Sequence, residues 1–497
     1  MLRFNIIRKF TTSIISRNDQ NYLSSTVYAL STAPARSAIG VIRITGPASE
    51  SIFTKLTGSV KLPKHRVSTV RKIYDFSNDN KVLLDECLVL YFKSPFSYTG
   101  EDLLELHVHG GVAVINKTMQ TIAKLHTSIA PVRLAEPGEF SKRAFQNQRF
   151  DLTEVEGINT LIHAETEMQR VSALSSMKGD TNLLFNEWRE RILKNIALLT
   201  TVIDFGEDHD IEEVNNLFDN VNLDIKKLET EIENYLFKIK RSQILLDGIK
   251  VTLIGPPNAG KSSLLNILAQ DDKAIVSSIA GTTRDAMEVP LDVGGYKIIV
   301  GDTAGIRESQ DIIEQEGIKR AKKKSLESDI NILILPADDL NTEKEFLSHA
   351  IELIRNTDKE YIVIINKSDL IISNDKDDIL EKLSKQLNIS KDRFSFISCT
   401  NNEGIEKLIQ NLTKRFKMVT FSDKEDPITI SNRAKEILSN DVLFGFQEFY
   451  KFREMDDIVM ASEGLKSSVD GIGKITGEAI GIEEILGVVF SKFCIGK

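Results

Sequence analysis

Two spacings of apolar residues alternate along this chain. Ala38 to Ile44, Glu86 to Phe92 and Leu103 to His109 follow the period of two that marks a strand, within a mixed region from about Tyr22 to Phe150. From Leu152 the period lengthens. Trp188, Ile192, Ile196, Leu199 and Ile203 recur at i, i+4, i+8, i+11 and i+15, and Leu228, Ile232, Leu236 and Ile239 repeat with charges between them. These stripes predict long amphipathic helices of a bundle. From about Lys250 to Phe416 short apolar runs alternate with helical ones, and after Pro427 the pattern is helical again. An α/β module therefore interrupts an all-helical one. The helical flanks have little else to bury against, so they are expected to pack as one discontinuous domain. The chain carries no internal repeat.

Composition adds further constraints. A chain of 497 residues, 41% hydrophobic and 27% charged, is too long for one core, and about three domains are expected. No apolar run approaches the ~20 residues that span a bilayer, so no membrane span is expected. Cys87, Cys399 and Cys494 lie far apart with no C-x-x-C pair, which fits a reducing compartment rather than a disulfide framework or a zinc site. The N-terminus stands apart. Arg3, Arg8, Lys9 and Arg17 are basic, Thr11, Thr12, Ser13 and Ser16 are hydroxylated, and no acid precedes Asp19. Phe4, Ile6, Ile7, Phe10, Ile14 and Ile15 supply apolar bulk. This is the composition of a mitochondrial presequence, assigned to residues 1–19, and it implies a mitochondrial matrix protein. Taking those four cations from a net charge of −9 leaves −13. So acidic a chain has no bulk attraction for nucleic acid, and any RNA contact must be a local patch or come through a partner.

Gly255 to Ser262 reads Gly-Pro-Pro-Asn-Ala-Gly-Lys-Ser, a match to G-x-x-x-x-G-K-[ST] between the apolar run Val251 to Ile254 and the helical run Ser263 to Leu268. A strand, loop and helix in this order aims backbone N–H groups at a phosphate chain. Lys261 adds a point charge on the β/γ-phosphates, and Ser262 offers its hydroxyl to Mg2+. Asp302-Thr303-Ala304-Gly305 follows the strand pattern Tyr296 to Val300, where a carboxylate and a glycine suit metal and γ-phosphate contact. Asn366-Lys367-Ser368-Asp369 follows Ile362 to Ile365. Asp369 can accept from both the ring N1–H and the exocyclic amine of guanine, a donor pair that adenine lacks. Ser398-Cys399-Thr400 falls where a last loop would touch the base, and Gly281 to Asp285 falls where a γ-phosphate-sensing threonine belongs. In this order the motifs predict a Ras-like P-loop domain that selects GTP. Where a Ras-type enzyme orients water with glutamine, this chain has Ile306, which cannot hydrogen-bond water.

Four further segments carry a resemblance. They are Gly40 to Gly46; Phe96 to Asp102 continuing through Glu105 to Gly111; Pro137 to Phe145; and the terminal Phe493-Cys494-Ile495-Gly496-Lys497. Together with the inserted P-loop domain, they resemble the MnmE or TrmE family of tRNA-modification GTPases, in its mitochondrial branch, over essentially everything after the presequence. The resemblance implies an α/β and all-α multidomain protein. Its parts are an N-terminal α/β tetrahydrofolate-binding domain (residues 20–148), a discontinuous helical domain (149–246 and 420–497) and an inserted Ras-like G domain (247–419). It implies a homodimer formed through the N-terminal domain and a complex with an FAD-containing MnmG-type partner. That complex modifies carbon 5 of the wobble uridine of tRNA with a one-carbon unit from a 5,10-methylene- or 5-formyl-tetrahydrofolate.

In the family, K+ answers the missing glutamine. By resemblance, Asn258 gives K+ its side-chain oxygen, carbonyls of Ser277 and Ile279 and Thr282 complete the shell as two G domains meet, and Glu314 positions the water indirectly. Ser262 and Thr283 would hold Mg2+. Nucleotide contacts are implied for Asn258, Ala259, Gly260, Lys261, Ser262, Ser263, Ser277, Ser278, Ile279, Ala280, Gly281, Thr282, Thr283, Asp302, Thr303, Ala304, Gly305, Asn366, Lys367, Asp369, Ser398, Cys399 and Thr400. Arg43, Glu105 and Lys497 align with folate contacts, and Arg149 stands where the family has lysine. Assigning Lys497 to that site implies that the chain end folds back onto the N-terminal domain or its dimer mate.

Other candidates stay open or bland. Cys494 is either a nucleophile or a residue packed by the folate pocket; nothing sets Lys492 or Lys497 against its thiol. His107 and His109 share a strand face with no evident third ligand, so a structural role is expected. Lys319 to Lys324 reads as the solvated face of a helix, and Glu207 to Asp210 as an exposed acidic loop. The leading expectation is a potassium-stimulated GTPase of wobble-uridine modification. One rival is a GTP-switch assembly factor for the mitochondrial ribosome, which has no use for the folate-type motifs or for Cys-Ile-Gly-Lys. Another is a folate-dependent transferase whose GTPase is only regulatory.

Overall fold

The computed structural model describes residues 25–78, 80–177, 179–205, 211–270, 288–301, 325–339, 351, 359–371, 375–420, 430–479, 483–491, 493 and 496. The expectations for the presequence, Glu207 to Asp210, Ser277 to Asp285, Asp302 to Ile306, Glu314, Lys319 to Lys324, Cys494 and Lys497 lie outside the described residues. The chain forms two compact units. One comprises Met1–Glu156, Phe185–Glu190 and Lys466–Lys497, and the other Gly157–Leu184 and Arg191–Leu465.

The first unit is built on a sheet of β1 (Thr26–Leu30), β2 (Ile39–Thr45), β3 (Thr69–Asn78), β4 (Asn80–Phe92), β5 (Leu103–His109) and β6 (Val132–Leu134), in the order β3-β4-β5-β2-β1-β6. All neighbours are antiparallel except β1 and β6. Helices α1 (Ser49–Thr57) and α2 (Val112–Ala123) bury Ile52, Phe53, Leu56, Ile115 and Ile122 with Ile42, Ile44, Leu104, Leu106 and Val108 of the sheet. Strand alternation then turns Arg43, Glu105 and His107 to the opposite face. A smaller cluster there joins Val27 and Ala29 of β1 to Ala135, Tyr98 and Phe140, the last on α3 (Glu139–Gln146).

A charged knot lies inside this unit. Arg143, fully buried, donates to the Ser25 carbonyl at 2.9 Å and to Glu101 and Glu139 at 3.1 and 2.8 Å. Glu139, also fully buried, takes two more bonds from Arg133, at 2.8 and 2.6 Å, and one from the Glu136 N–H at 2.9 Å. The C-terminal residues belong to this unit because Leu486, Val489, Phe490 and Phe493 bury Leu152 and Val155. Gly138, at φ 68°, lies so close to the Phe490 carbonyl that a Cβ would not fit. At the chain end, Ser31 Oγ donates to the Gly496 carbonyl at 2.9 Å.

Before the interrupting module run α4 (Leu152–Ile162), α5 (Glu167–Met177), α6 (Asp180–Phe205) and α7 (Ile211–Asp247). Trp188, Ile192, Ile196 and Leu199 are buried as their spacing predicts, but Ile203 is exposed and Val202 takes its place. Likewise Tyr235 is buried rather than Leu236. A strict four-residue step overshoots the 3.6-residue turn, so the buried stripe falls back by one position.

The module in the second unit is a sheet of β7 (Ile249–Ile254), β8 (Glu288–Val293), β9 (Tyr296–Gly301), β10 (Ile330–Pro336), β11 (Glu360–Asn366) and β12 (Phe394–Phe396), in the order β12-β11-β10-β7-β9-β8. It is parallel except for β8. Both faces are covered, as a parallel sheet requires. Ile332, Ile334, Ile362 and Ile364 pack with Leu264, Leu265 and Leu268 of α8 (Lys261–Gln270). Leu333, Leu335, Val363 and Ile365 pack with Leu383 and Leu387 of α9 (Lys376–Leu387). Leu408, Leu412 and Phe416 of α10 (Ile405–Thr420) join the first of these clusters.

The chain then returns to helices α11 (Asn432–Ile437), α12 (Leu443–Glu454), α13 (Ile458–Thr476) and α14 (Glu483–Ser491). Helix α12 meets α7 through the Phe218–Phe449 ring pair, the Tyr450 hydroxyl on Glu229 at 3.0 Å and Arg453 on Asp219 at 2.7 Å. Helix α12, after the α/β module, thus packs on α7, before it, within the second unit, whereas Lys466–Lys497 belong to the first.

The knot makes a pH prediction. Burial raises the Glu139 carboxyl, but its bonds from Arg133, the Glu136 amide and Arg143 outweigh this and hold it below its ordinary value. A depressed carboxyl stabilises the fold fully above its unfolded value, near 4.3, and the contribution disappears as the pH falls through the folded value. Glu139→Gln should lower the stability of this unit by about 3 kcal/mol at pH 7. It should also flatten the loss of stability below pH ~4. Thermal melts followed by fluorescence of Trp188, the one tryptophan of the chain and part of the same unit, check both.

Candidate functional site

The first candidate site lies where strands β7, β10, β11 and β12 end, the edge at which parallel sheets bind ligands. Lys261 opens α8 and folds back, its Nζ donating to the carbonyls of Gly255 and Pro256 at 2.7 Å each. Burial pushes this ammonium below its ordinary value. The amides of Gly260 and Lys261 have no acceptor among the described residues. A desolvated cation beside open N–H groups at a helix start is a site for an anion. Asn258 is exposed in a left-handed turn, φ 60°, and its side chain has no hydrogen bond among the described residues.

Asn366 braces this loop. Its buried side chain donates to the Ala259 carbonyl at 2.9 Å and accepts from the Cys399 N–H at 3.2 Å. One amide therefore ties the phosphate-type loop to the loop after β12. Gly260, at φ 96°, has no room for a Cβ, which would strike the Asn366 side-chain nitrogen. The next residues extend the frame. Lys367 pairs with Asp338 at 2.9 Å, and the Ser368 N–H donates to the Ile397 carbonyl at 2.9 Å. Ser398 is buried and bonded both ways to Glu403, whereas Asp369 and Thr400 are exposed. The Asp369 carboxylate has no partner among the described residues. Ser262 and Ser263 lie in the first turn of α8, and burial pushes the Cys399 thiol up.

The second candidate site lies on the face of the first sheet opposite α1 and α2. The register sets Arg43 directly opposite Glu105, and their side chains pair at 2.9 Å. The Arg43 guanidinium lies 5.6 Å from the Tyr98 ring centre and 5.8 Å from that of Phe140. Tyr98 is fixed by a 2.8 Å hydrogen bond between its hydroxyl and Ser141 Oγ, and burial pushes its phenol up, so it stays protonated. Tyr98, Phe140 and Ser141 lie within the segments that carry the resemblance, but no spacing signals that they surround Arg43. His107 leans on Glu105 at 3.4 Å, and His109 pairs with Asp85 at 2.7 Å. Each histidine thus has an acid as its partner. Arg149 is exposed beside Gly100, and among the described residues it forms no hydrogen bond or ion pair with Arg43 or Glu105.

Comparison with known proteins extends this picture. Residues 26–149 match the family described as the GTP-binding protein TrmE N-terminus, and residues 152–494 match the MnmE helical domain. The chain is 48% identical over 493 residues to the tRNA modification GTPase MSS1, mitochondrial, of Saccharomyces cerevisiae, covering 95% of this chain and 93% of that one. It is 37% identical over 479 residues to the 5-taurinomethyluridine-[tRNA] synthase subunit GTPB3, mitochondrial, of Danio rerio, with coverages of 95% and 93%. To the tRNA modification GTPase MnmE of Rickettsia akari it is 42% identical over 477 residues, covering 95% of this chain and all of that one. With two family matches and relatives aligned along nearly their whole length, the chain belongs to the MnmE family of tRNA-modification GTPases, in its mitochondrial branch.

Proposed function

We propose that this chain is a mitochondrial, potassium-stimulated GTP hydrolase. With an FAD-containing MnmG-type partner, it modifies carbon 5 of the wobble uridine of mitochondrial tRNAs. The observation that carries this reading is the presence in one chain of a braced phosphate-type loop and a separate Arg43–Glu105 centre. An assembly switch uses the first and leaves the second without purpose.

Each centre has a definite chemical use. Phosphate oxygens would replace the Gly255 and Pro256 carbonyls as partners of Lys261 and relieve its desolvated charge. Gly260 and Lys261 would add their open N–H groups. Asp369, exposed at the end of the frame, would accept from guanine. The exposed Asn258 amide oxygen would hold K+, and the Ser262 hydroxyl Mg2+. K+ held by Asn258 would supply positive charge near the phosphates, the role of an arginine finger, worth roughly 10^3–10^5 in rate where arginine does it. Ile306 leaves water positioning to another group, for which Glu314 is our candidate. Thr282, Thr283, Ser277 and Ile279 are the further ligands we assign. At the second centre Arg43 and Glu105 offer both signs of charge to a pterin edge and a glutamate tail. A tetrahydrofolate held by these residues would supply the one-carbon unit. Gly496 rests on the same unit, which favours Lys497 as a further contact. We assign the homodimer to the N-terminal domain and leave Cys494 as the candidate nucleophile.

Two measurements test this reading. GTP turnover should rise at least tenfold in K+ over Na+ at equal ionic strength, and Asn258→Ala should abolish the difference. Equal rates in both salts for the wild type would overturn the potassium mechanism. Asn366→Ala should weaken binding of a fluorescent GDP analogue at least tenfold, or about 1.4 kcal/mol, while circular dichroism stays unchanged.

A further inference from the structure

A cationic and aromatic surface on the first sheet has no part in either centre. The chain is acidic as a whole, yet Ser51 to Tyr74 contains six lysines and arginines and no acid. The loop between α1 and β3 carries Lys61, Lys64, His65 and Arg66, all exposed. It lies against the loop after β4, which carries the exposed Lys93 and Phe96. Phe96 leaves 59% of its surface open, and its ring centre is 6.3 Å from that of His65.

Hydrogen bonds tie the two loops together. The Lys93 N–H donates to His65 Nδ1 at 3.0 Å, the Arg66 N–H to the Tyr91 carbonyl at 2.9 Å, and the Phe96 N–H to the Lys93 carbonyl at 2.9 Å. Arg66 Nη2 donates to the Phe96 carbonyl at 3.0 Å, which fixes its guanidinium beside the aromatic pair. The neighbouring acids are used internally. Glu50 accepts from the Tyr91 hydroxyl at 2.8 Å, Asp102 from the Ser94 N–H at 2.9 Å, and Glu101 pairs with Arg143 at 3.1 Å. Among the described residues Lys61, Lys64 and Lys93 have no ion-pair partner.

We propose that this loop pair is an RNA-binding surface that holds tRNA by stacking an unpaired base on Phe96 and His65 and by contacting phosphates through Lys61, Lys64, Arg66 and Lys93. The inference rests on the tRNA-modifying function proposed above and names the part of the chain that meets the nucleic acid. Exposed planar rings among unpaired cations suit unpaired bases and their phosphates, and an acidic protein would need the cations but not the rings. The position also fits the chemistry. Phe96 and Tyr98 lie two residues apart on one loop, and Tyr98 packs against Arg43 at 5.6 Å. A base held at Phe96 is therefore brought near the centre assigned to the one-carbon carrier.

The test measures binding of an unmodified mitochondrial tRNA transcript to the full chain across a range of salt. Phe96→Ala should weaken binding about tenfold. Combined Lys61→Gln, Lys64→Gln and Lys93→Gln should weaken it further. They should also lower the slope of log affinity against log salt by about one for each phosphate that is no longer neutralised. Potassium-stimulated GTP turnover and the melting transition seen by Trp188, which lies in the same unit as these residues, should both stay at the wild-type level, which shows that the variants fold. Unchanged tRNA affinity and salt slope in both variants would overturn the surface alone. Loss of MnmG-type partner binding with tRNA affinity intact would also overturn it, as the mark of a protein-docking site. Failure of the wild type to bind the transcript would overturn the tRNA reading itself, and with it this surface.

Discussion

A single buried guanidinium organises the first unit. An arginine with no access to water is tolerated only when its donors find acceptors, and leaving such a charge unpaired would cost several kcal/mol. Arg143 meets this demand with three chain segments that are far apart in sequence: the Ser25 carbonyl at the entry to β1, Glu101 in the loop before β5, and Glu139 on its own helix. The loop that supplies Glu101 also carries Phe96 and Tyr98. The helix that supplies Glu139 also carries Phe140 and Ser141. Satisfying Arg143 therefore brings to one place the rings that flank Arg43 and the hydroxyl that fixes Tyr98.

The nucleotide-type site obeys the same logic with a neutral group. Buried amides must also be satisfied, and Asn366 does so by joining two loops rather than by bonding within its own. The fit leaves no space beside Gly260, so the loop conformation and the brace specify each other. Lys261 is different in kind. Its bonds to the Gly255 and Pro256 carbonyls are available to any competing anion, and its burial makes an anionic partner favourable. The frame is fixed and the cation is exchangeable, which is what reversible binding of a phosphate chain requires.

The patterns that were legible in the sequence are those with a short physical range. Leu103 to His109 reads as a strand and is one, and the P-loop is set between a strand and a helix as its spacing predicts. The stripe on α6 failed only at Ile203, where helical drift favours Val202. Arg43 and Glu105 were legible as residues but not as a pair, because strand register depends on which apolar faces meet across the sheet. The bracing by Asn366 and the rings around Arg43 span 33 residues or more and follow from the fold alone. The acid-free stretch from Ser51 to Tyr74 is present in the sequence, yet an average over the whole chain hides it.

That average also explains why the net charge does not argue against RNA at the loop pair. At physiological ionic strength a charge is screened over ~8 Å, so a phosphate in contact with the surface responds to the groups within about that distance. Around Lys64, Arg66 and Lys93 the cations outweigh the acids: Glu101 is offset by Arg143, while Glu50 and Asp102 keep their charge but each turns an oxygen to Tyr91 or Ser94. The remaining acids act at longer range and bear on the rate of approach rather than on the contact. An acidic protein with one cationic, ring-bearing surface therefore discourages nucleic acid from settling elsewhere. Such a charge distribution favours one orientation of the bound RNA, and the segment from Phe96 to Tyr98 sets that orientation close to Arg43.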